Sequence, residues 1–229
     1  TLVISAATLT VRNLLANSRV YNGTNTATIR AGGASLVGVY SGDTVTLVTN
    51  GYTATFADSV VAADVEVTIA GLSLGGASAG NYELEQPVTA TADITAKNLT
   101  VTGVVAANKV YDGETTAEVY FTNAVLVGVV SGDDVTLDSS SAAGEFATAT
   151  VGVDKTVTVS GLGLGGADAN NYALTQPTTT ASITKGVAVV TLTAEDLAQT
   201  YNRTGRAVSA TTDPVGLTTV ITYNGSASA

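Results

Sequence analysis

Val110-Tyr111-Asp112-Gly113 reads as a tight turn, and Val20-Tyr21-Asn22-Gly23 reads as the same turn met once before, 90 residues earlier. Asp-Gly and Asn-Gly supply the positive φ that such a turn needs. The same shift aligns much of the chain. Leu9-Thr10-Val11 falls on Leu99-Thr100-Val101, and Leu36-Val37-Gly38-Val39 falls on Leu126-Val127-Gly128-Val129. Ser41-Gly42-Asp43 matches Ser131-Gly132-Asp133, and Leu74-Gly75-Gly76-Ala77 matches Leu164-Gly165-Gly166-Ala167. Phe56, Asp64, Asn81-Tyr82 and Gln86-Pro87 recur as Phe146, Asp154, Asn171-Tyr172 and Gln176-Pro177. About half the positions from Leu9 to Pro87 are identical without a gap. A period of this kind marks tandem units.

The period divides the chain into the end of a preceding repeat (1–7), repeat one (8–97), repeat two (98–185) and a partial third unit (186–229). Ile4 through Val11 aligns with Ile94 through Val101, so Thr1–Ile4 is expected to be the last strand of an absent repeat. The third unit shares Thr200-Tyr201-Asn202 with the earlier turns and then diverges. Both ends are therefore expected to lie inside a longer array. Ile94-Thr95-Ala96-Lys97-Asn98-Leu99 runs from one unit into the next without a Gly, Ser or Pro tether, which predicts a stiff junction.

Composition narrows the function classes. The 229 residues carry a net charge of −10, are 45% hydrophobic and only 12% charged. Thr, Val and Ile suit half-buried pleated surfaces, and Gly, Asn and Asp suit turns. With no His and no Cys, Ser-His-Asp triads, thiolate nucleophiles and His/Cys zinc sites are excluded. Nine Lys and Arg spread along an acidic chain do not make a phosphate-binding surface, so no nucleic acid is expected. No apolar run is long enough for a membrane-spanning helix.

In repeat two, alternating and β-branched runs predict strands at Leu99–Val105, Ala117–Phe121, Val125–Val130, Val135–Asp138, Glu145–Val151, Thr156–Ser160, Tyr172–Leu174 and Thr179–Thr184. Short strands with turns every 8–12 residues indicate an all-β fold, either tandem β-sandwich or β-grasp-like domains arranged end to end as a rod. The expected core of repeat two includes Leu99, Val101, Val110, Tyr111, Val127, Phe146, Val157, Val159, Leu162, Tyr172 and Ile183.

These residues resemble a known family. Lys109 through Gly113, Gly128 through Leu137, Thr156 through Leu162, Asn171-Tyr172 and Thr175-Gln176-Pro177 are similar to the YDG repeat of large bacterial secreted proteins. Repeat one resembles it too, with Asn22 where the name-giving Asp would stand. Residues 187–229, with Ala210-Thr211-Thr212 and Thr222-Tyr223-Asn224-Gly225-Ser226, are similar to MBG (mostly beta grasp) domains. The resemblance implies filamentous-haemagglutinin-like or other giant adhesins, secreted or held at the bacterial surface. It carries no catalytic residues.

Calcium is the most plausible ligand by residue type, with Asp133, Asp154, Asp168, Asn170 and Asn171 as candidate oxygen donors and Asp43, Asp64 and Asn81 as their repeat-one partners. Against it, Asp and Asn commonly cap turns, and Ser78 and Gly80 replace Asp168 and Asn170 in repeat one. A Lys–Asn cross-link fails because Arg19 and Val65 stand opposite Lys109 and Lys155. Tyr21, Tyr82, Tyr111 and Tyr172 read as half-buried corner residues, whereas Tyr40, Tyr52 and Tyr120 are unmatched and are expected on the surface. The Asn22, Asn98, Asn202 and Asn224 sequons are attributed to composition. Glu83 and Glu85 become Ala173 and Thr175, a poor pattern for a carboxylate-pair enzyme. The favoured expectation is a non-catalytic spacer without a cofactor, whose expected partners are neighbouring repeats of the same chain and other copies in a fibre. The alternatives are a glycan- or protein-binding module and a filament subunit that assembles by strand exchange.

Overall fold

Alternation decides which face each strand buries. In Ala62–Ala70, Val65, Val67 and Ile69 are buried while Glu66 and Thr68 face solvent. Its counterpart, Gly152–Ser160, buries Val157 and Val159 in the same way. The structure is a computed structural model that describes residues 3–198, 200 and 208–222.

In repeat one, the first sheet orders Arg19–Val20, Val88–Thr95, Ala62–Ala70 and Thr53–Phe56. Val88–Thr95 runs parallel to Arg19–Val20 and antiparallel to Ala62–Ala70. The second sheet orders Tyr82–Leu84, Ala7–Arg12 and Ser35–Val37. Val67 and Ile69 of the first sheet share one apolar cluster with Val11 and Leu84 of the second. Repeat two follows the same plan. Lys97–Thr102 lies between Val125–Val127 and Tyr172–Leu174, and Thr178–Thr184 lies between Lys109–Val110 and Gly152–Ser160. Each unit is a small sandwich of these two sheets, flanked by two-stranded ladders such as Thr46–Val48 with Ser73–Gly75 and Thr136–Asp138 with Gly163–Gly165. Among the described residues, the helical content of either repeat is one 3-10 turn, Ala79–Asn81 or Ala169–Asn171. Among the described residues, no helix crosses either sheet as a grasp would require.

The recurring glycines, aspartates and glutamines build the frame. Asp64 and Asp154 adopt φ of 52° and 49° and sit where each long strand slips register against its neighbour, which makes them bulge residues. The Gln86 side chain accepts from the Leu72 N–H and donates to the Leu72 carbonyl, both at 2.9 Å. Gln176 does the same for Leu162 at 3.0 and 2.8 Å.

Three residues expected in the core lie outside it: Val110, Tyr111 and Val127 are 58%, 50% and 47% exposed. A one-residue change of parity explains the valines. In Lys109–Val110 it is Lys109 that turns inward, its ammonium 5.6 Å from the Phe146 ring centroid. In Val125–Val127, Leu126 is the half-buried member. Tyr111 is exposed for a different reason, given below. The single strand expected at Ala117–Phe121 is two, because Thr116–Ala117 pairs with Ala143–Phe146 while Val119–Tyr120 pairs with Val105–Ala106. Val3 and Ile4 form no strand and are 83% and 88% exposed. Ile94, the equivalent of Ile4, has strand partners on both sides and is 1% exposed.

In the third unit, Val189–Leu192 pairs antiparallel with Ala210–Asp213 around the short helix Ala194–Leu197. The expected turn at Tyr201-Asn202 lies outside the described residues.

The inward lysine gives a test of register. Lys109→Ala removes cover from Phe146 and three side-chain hydrogen bonds at the turn. Urea denaturation should show it to cost about 1–2 kcal/mol, against about 0.5 kcal/mol or less for Val110→Ala. Equal or reversed costs would mean that Val110 is the buried partner.

Candidate functional site: the joint between the repeats

Each Tyr-Asn/Asp-Gly turn is held by the cation two residues ahead of its tyrosine. Lys109 donates to Asp112 Oδ2 at 3.1 Å and to the carbonyls of Glu114 and Thr116 at 2.8 and 2.9 Å. Arg19 donates to Asn22 Oδ1 and to the Thr24 carbonyl. Asp112 Oδ1 and Asn22 Oδ1 each accept the N–H two residues on, both at 3.0 Å. An amide oxygen does here what a carboxylate oxygen does, which is why Asn22 can replace the aspartate. Lys109 and its hydrogen bond hold the Asp112 carboxyl below its usual range.

The turns build alike, yet their tyrosines differ. Tyr21 is 5% exposed and Tyr111 is 50% exposed. Tyr21 crosses into repeat two, where its phenol donates to Asp133 Oδ2 at 2.9 Å. Its ring meets Tyr172 edge to face, with centroids 5.4 Å apart. Tyr172 donates to the same Asp133 oxygen at 2.5 Å and accepts from the Val130 N–H at 2.9 Å. Gly23 completes the fit, because a Cβ there would stand 2.9 Å from Val130 Cγ1, at a φ of +77°. At Gly113 the same space is open. Asn171 is 5% exposed, and its Oδ1 accepts the Val61 N–H of repeat one at 3.0 Å. The core continues through the contact, since Leu99 and Tyr172 of repeat two belong to the apolar cluster of repeat one. Ala96 is the one residue between the strands Val88–Thr95 and Lys97–Thr102.

Burial first, and then the Asp133 carboxylate, push the Tyr21 phenol up to about 12. The same causes raise Tyr172, and burial with Asp43 raises Tyr82. The joint holds the neutral phenol, so its contribution is complete below the ordinary tyrosine value near 10 and is lost as pH rises through about 12.

The oxygen donors suggested by sequence are dispersed over separate tasks. Asp133 takes the two phenols, Asp154 is the bulge residue, and Asn171 binds Val61. Asp168 Oδ2 accepts the Asp134 N–H at 2.8 Å, as Ser78 Oγ accepts that of Thr44 at 3.3 Å. Asn170 is exposed. In repeat one, Asp43 accepts from Tyr82 at 2.5 Å, and the Asp64 N–H binds Asp93. Among the described residues, no group of three or more acidic side chains is placed to share a cation. Tyr40 and Tyr120 are exposed as expected, but Tyr52 is half-buried and its hydroxyl accepts the Ile29 N–H at 3.3 Å. Glu83 and Glu85 lie exposed beside an open groove with Thr8 and Gln86. The Asn98 amide bonds Thr175, and the Asn202 and Asn224 sequons lie outside the described residues. Sequence reasoning missed the role of Tyr21, which it read as a corner residue. The recurrence of Tyr21, Asp43 and Asn81-Tyr82 at one spacing was the available signal.

Sandwich units that share a core and a keyed contact define a tandem-repeat β protein. This chain belongs to the YDG domain family, which matches residues 5–91 and 95–181. Residues 188–229 match an MBG domain. No curated protein and no solved structure matches the chain. YDG and MBG domains together are compatible with an adhesin-like or surface protein. No helix among the described residues is long and apolar enough to cross a membrane.

The two tyrosines form a matched pair for mutation. In chemical denaturation, Tyr21→Ala should cost about 3–5 kcal/mol and Tyr111→Ala under about 1 kcal/mol. Similar losses at both positions would remove the joint's special role. In an alkaline titration read by phenolate absorbance, a phenol titrating at about 12 should be present in the native chain and absent in Tyr21→Phe. Loss of phenolate absorbance near the ordinary tyrosine value of about 10 instead would show that Tyr21 is not held by Asp133.

Proposed function

We propose that this chain is a structural stalk segment of an extracellular bacterial adhesin or surface fibre, with no catalytic role. The observation that carries this reading is the Tyr21–Asp133 joint beside a one-residue connection at Ala96. A stalk works by geometry: each unit adds length, and each junction limits bending. A repeat whose plug and core reach into the next unit meets that requirement without a bound ligand.

The surface aromatics favour a spacer over a repeated binding face. Tyr40 and Tyr120 are 69% and 47% exposed, but Val130 and Arg30 stand at their equivalent positions. The exposed Glu83 and Glu85 are likewise replaced by Ala173 and Thr175. What recurs is the frame and the parts of the joint.

Small-angle scattering tests the reading on the whole chain. The native protein should behave as one stiff particle through residues 5–181, and Tyr21→Ala should broaden its distance distribution. A native chain as flexible as the variant would contradict a stalk. So would saturable binding of glycans or matrix proteins by surfaces common to both repeats.

A further inference from the structure

The joint has two halves, and each repeat carries both. Repeat two uses its acceptor half, built from Val130, Asp133, Asn171 and Tyr172, to receive Tyr21. The same half on repeat one is Tyr40, Asp43, Asn81 and Tyr82, and it lines a cavity of about 410 Å³ together with Ile4 and Gly80.

Its polar wiring is already in place. The Tyr40 N–H donates to the Tyr82 hydroxyl at 3.0 Å, and Tyr82 donates to Asp43 Oδ2 at 2.5 Å. In repeat two the corresponding chain runs from Val130 through Tyr172 to Asp133, where the same carboxylate oxygen also takes the incoming phenol. Asn81 is exposed, whereas its equivalent Asn171 is buried against repeat one. Tyr40, on the rim, is 69% exposed and its ring lies 6.2 Å from that of Tyr82. It stands where Val130 packs against Gly23, so it offers a larger apolar face to an incoming glycine. The open cavity and the exposed Asn81 are what removal of the plug and its repeat would leave.

We propose that the Tyr40–Asp43–Asn81–Tyr82 socket is an acceptor site for the tyrosine of a Tyr-Asn/Asp-Gly turn on another YDG repeat, joined in line ahead of Ser5. An in-line occupant is favoured over the Tyr111 turn of a second copy. In the occupied joint, the donor's last strand passes through Ile94 straight into the acceptor, and Ile94 stands at the position of Ile4. The inference rests on the joint geometry and stands or falls separately from the stalk reading.

The test splices a second copy of residues 5–94 in front of Ser5 of the full chain, so that its Ile94 replaces Ile4. Because the chain has no Cys, spin labels can be placed cleanly on exposed Thr68 and Ser131 to report the existing joint. Labels on Thr68 of the added copy and on Ser41 report the new one. The proposal predicts equally narrow distance distributions for the two pairs. Asp43→Asn combined with Tyr21→Phe in the added copy should broaden only the new one. A new joint that is broad from the start, or is indifferent to both substitutions, would overturn it. A native chain that dimerises in sedimentation, and loses the dimer in Tyr111→Ala, would also overturn it, because the occupant would then be a second copy.

Discussion

The Asp133 carboxylate, half-buried between two repeats, is the constraint on which the assembly turns. A carboxylate withdrawn from water must be given donors, and both that it receives are phenols, one from its own repeat and one from its neighbour. Tyr172 makes the site a preset acceptor, because the Val130 N–H fixes the hydroxyl that in turn points at Asp133. Tyr21 then satisfies the carboxylate and adds an edge-to-face ring contact in the same move. Once it is seated, Gly23 lies against Val130 and Val61 reaches Asn171. The relative placement of the two sandwiches follows from one side chain entering one socket.

This arrangement gives the letters of the family signature separate physical tasks. The tyrosine is the plug. The aspartate, or Asn22 in its place, ties the turn to a cation and to the backbone two residues on. The glycine supplies both the left-handed backbone and the bare surface on which Val130 packs. Repeat two keeps all three although Tyr111 is half exposed, so the signature belongs to the module and its use depends on what stands next to it.

Much of the fold was legible because it is local. The 90-residue period, the turns and the strand at Tyr172–Leu174 follow from spacing and alternation. The buried phenylalanines Phe56 and Phe146 follow from their recurrence among apolar runs. Parity was harder to read. Val110 is the more apolar residue, yet Lys109 lies inward because its stem covers Phe146 while its ammonium organises the turn. The site was the least legible part. Asp133, Asp168 and Asn171 share residue types with a calcium loop, but hydrogen bonds to a phenol, a turn N–H and a neighbouring repeat occupy them one by one. Tyr21 and Asp133 lie 112 residues apart, and a partner across a domain boundary leaves no trace in local pattern.

Residual dipolar couplings on the labelled full chain measure the central claim most directly, because they report the orientation of each repeat without reference to its contacts. If Tyr21 fixes repeat one on repeat two, couplings from residues 5–91 and 95–181 will fit a single alignment tensor on this structure. Separate tensors of different magnitude for the two repeats in the native chain would show that they move independently, and would contradict the account.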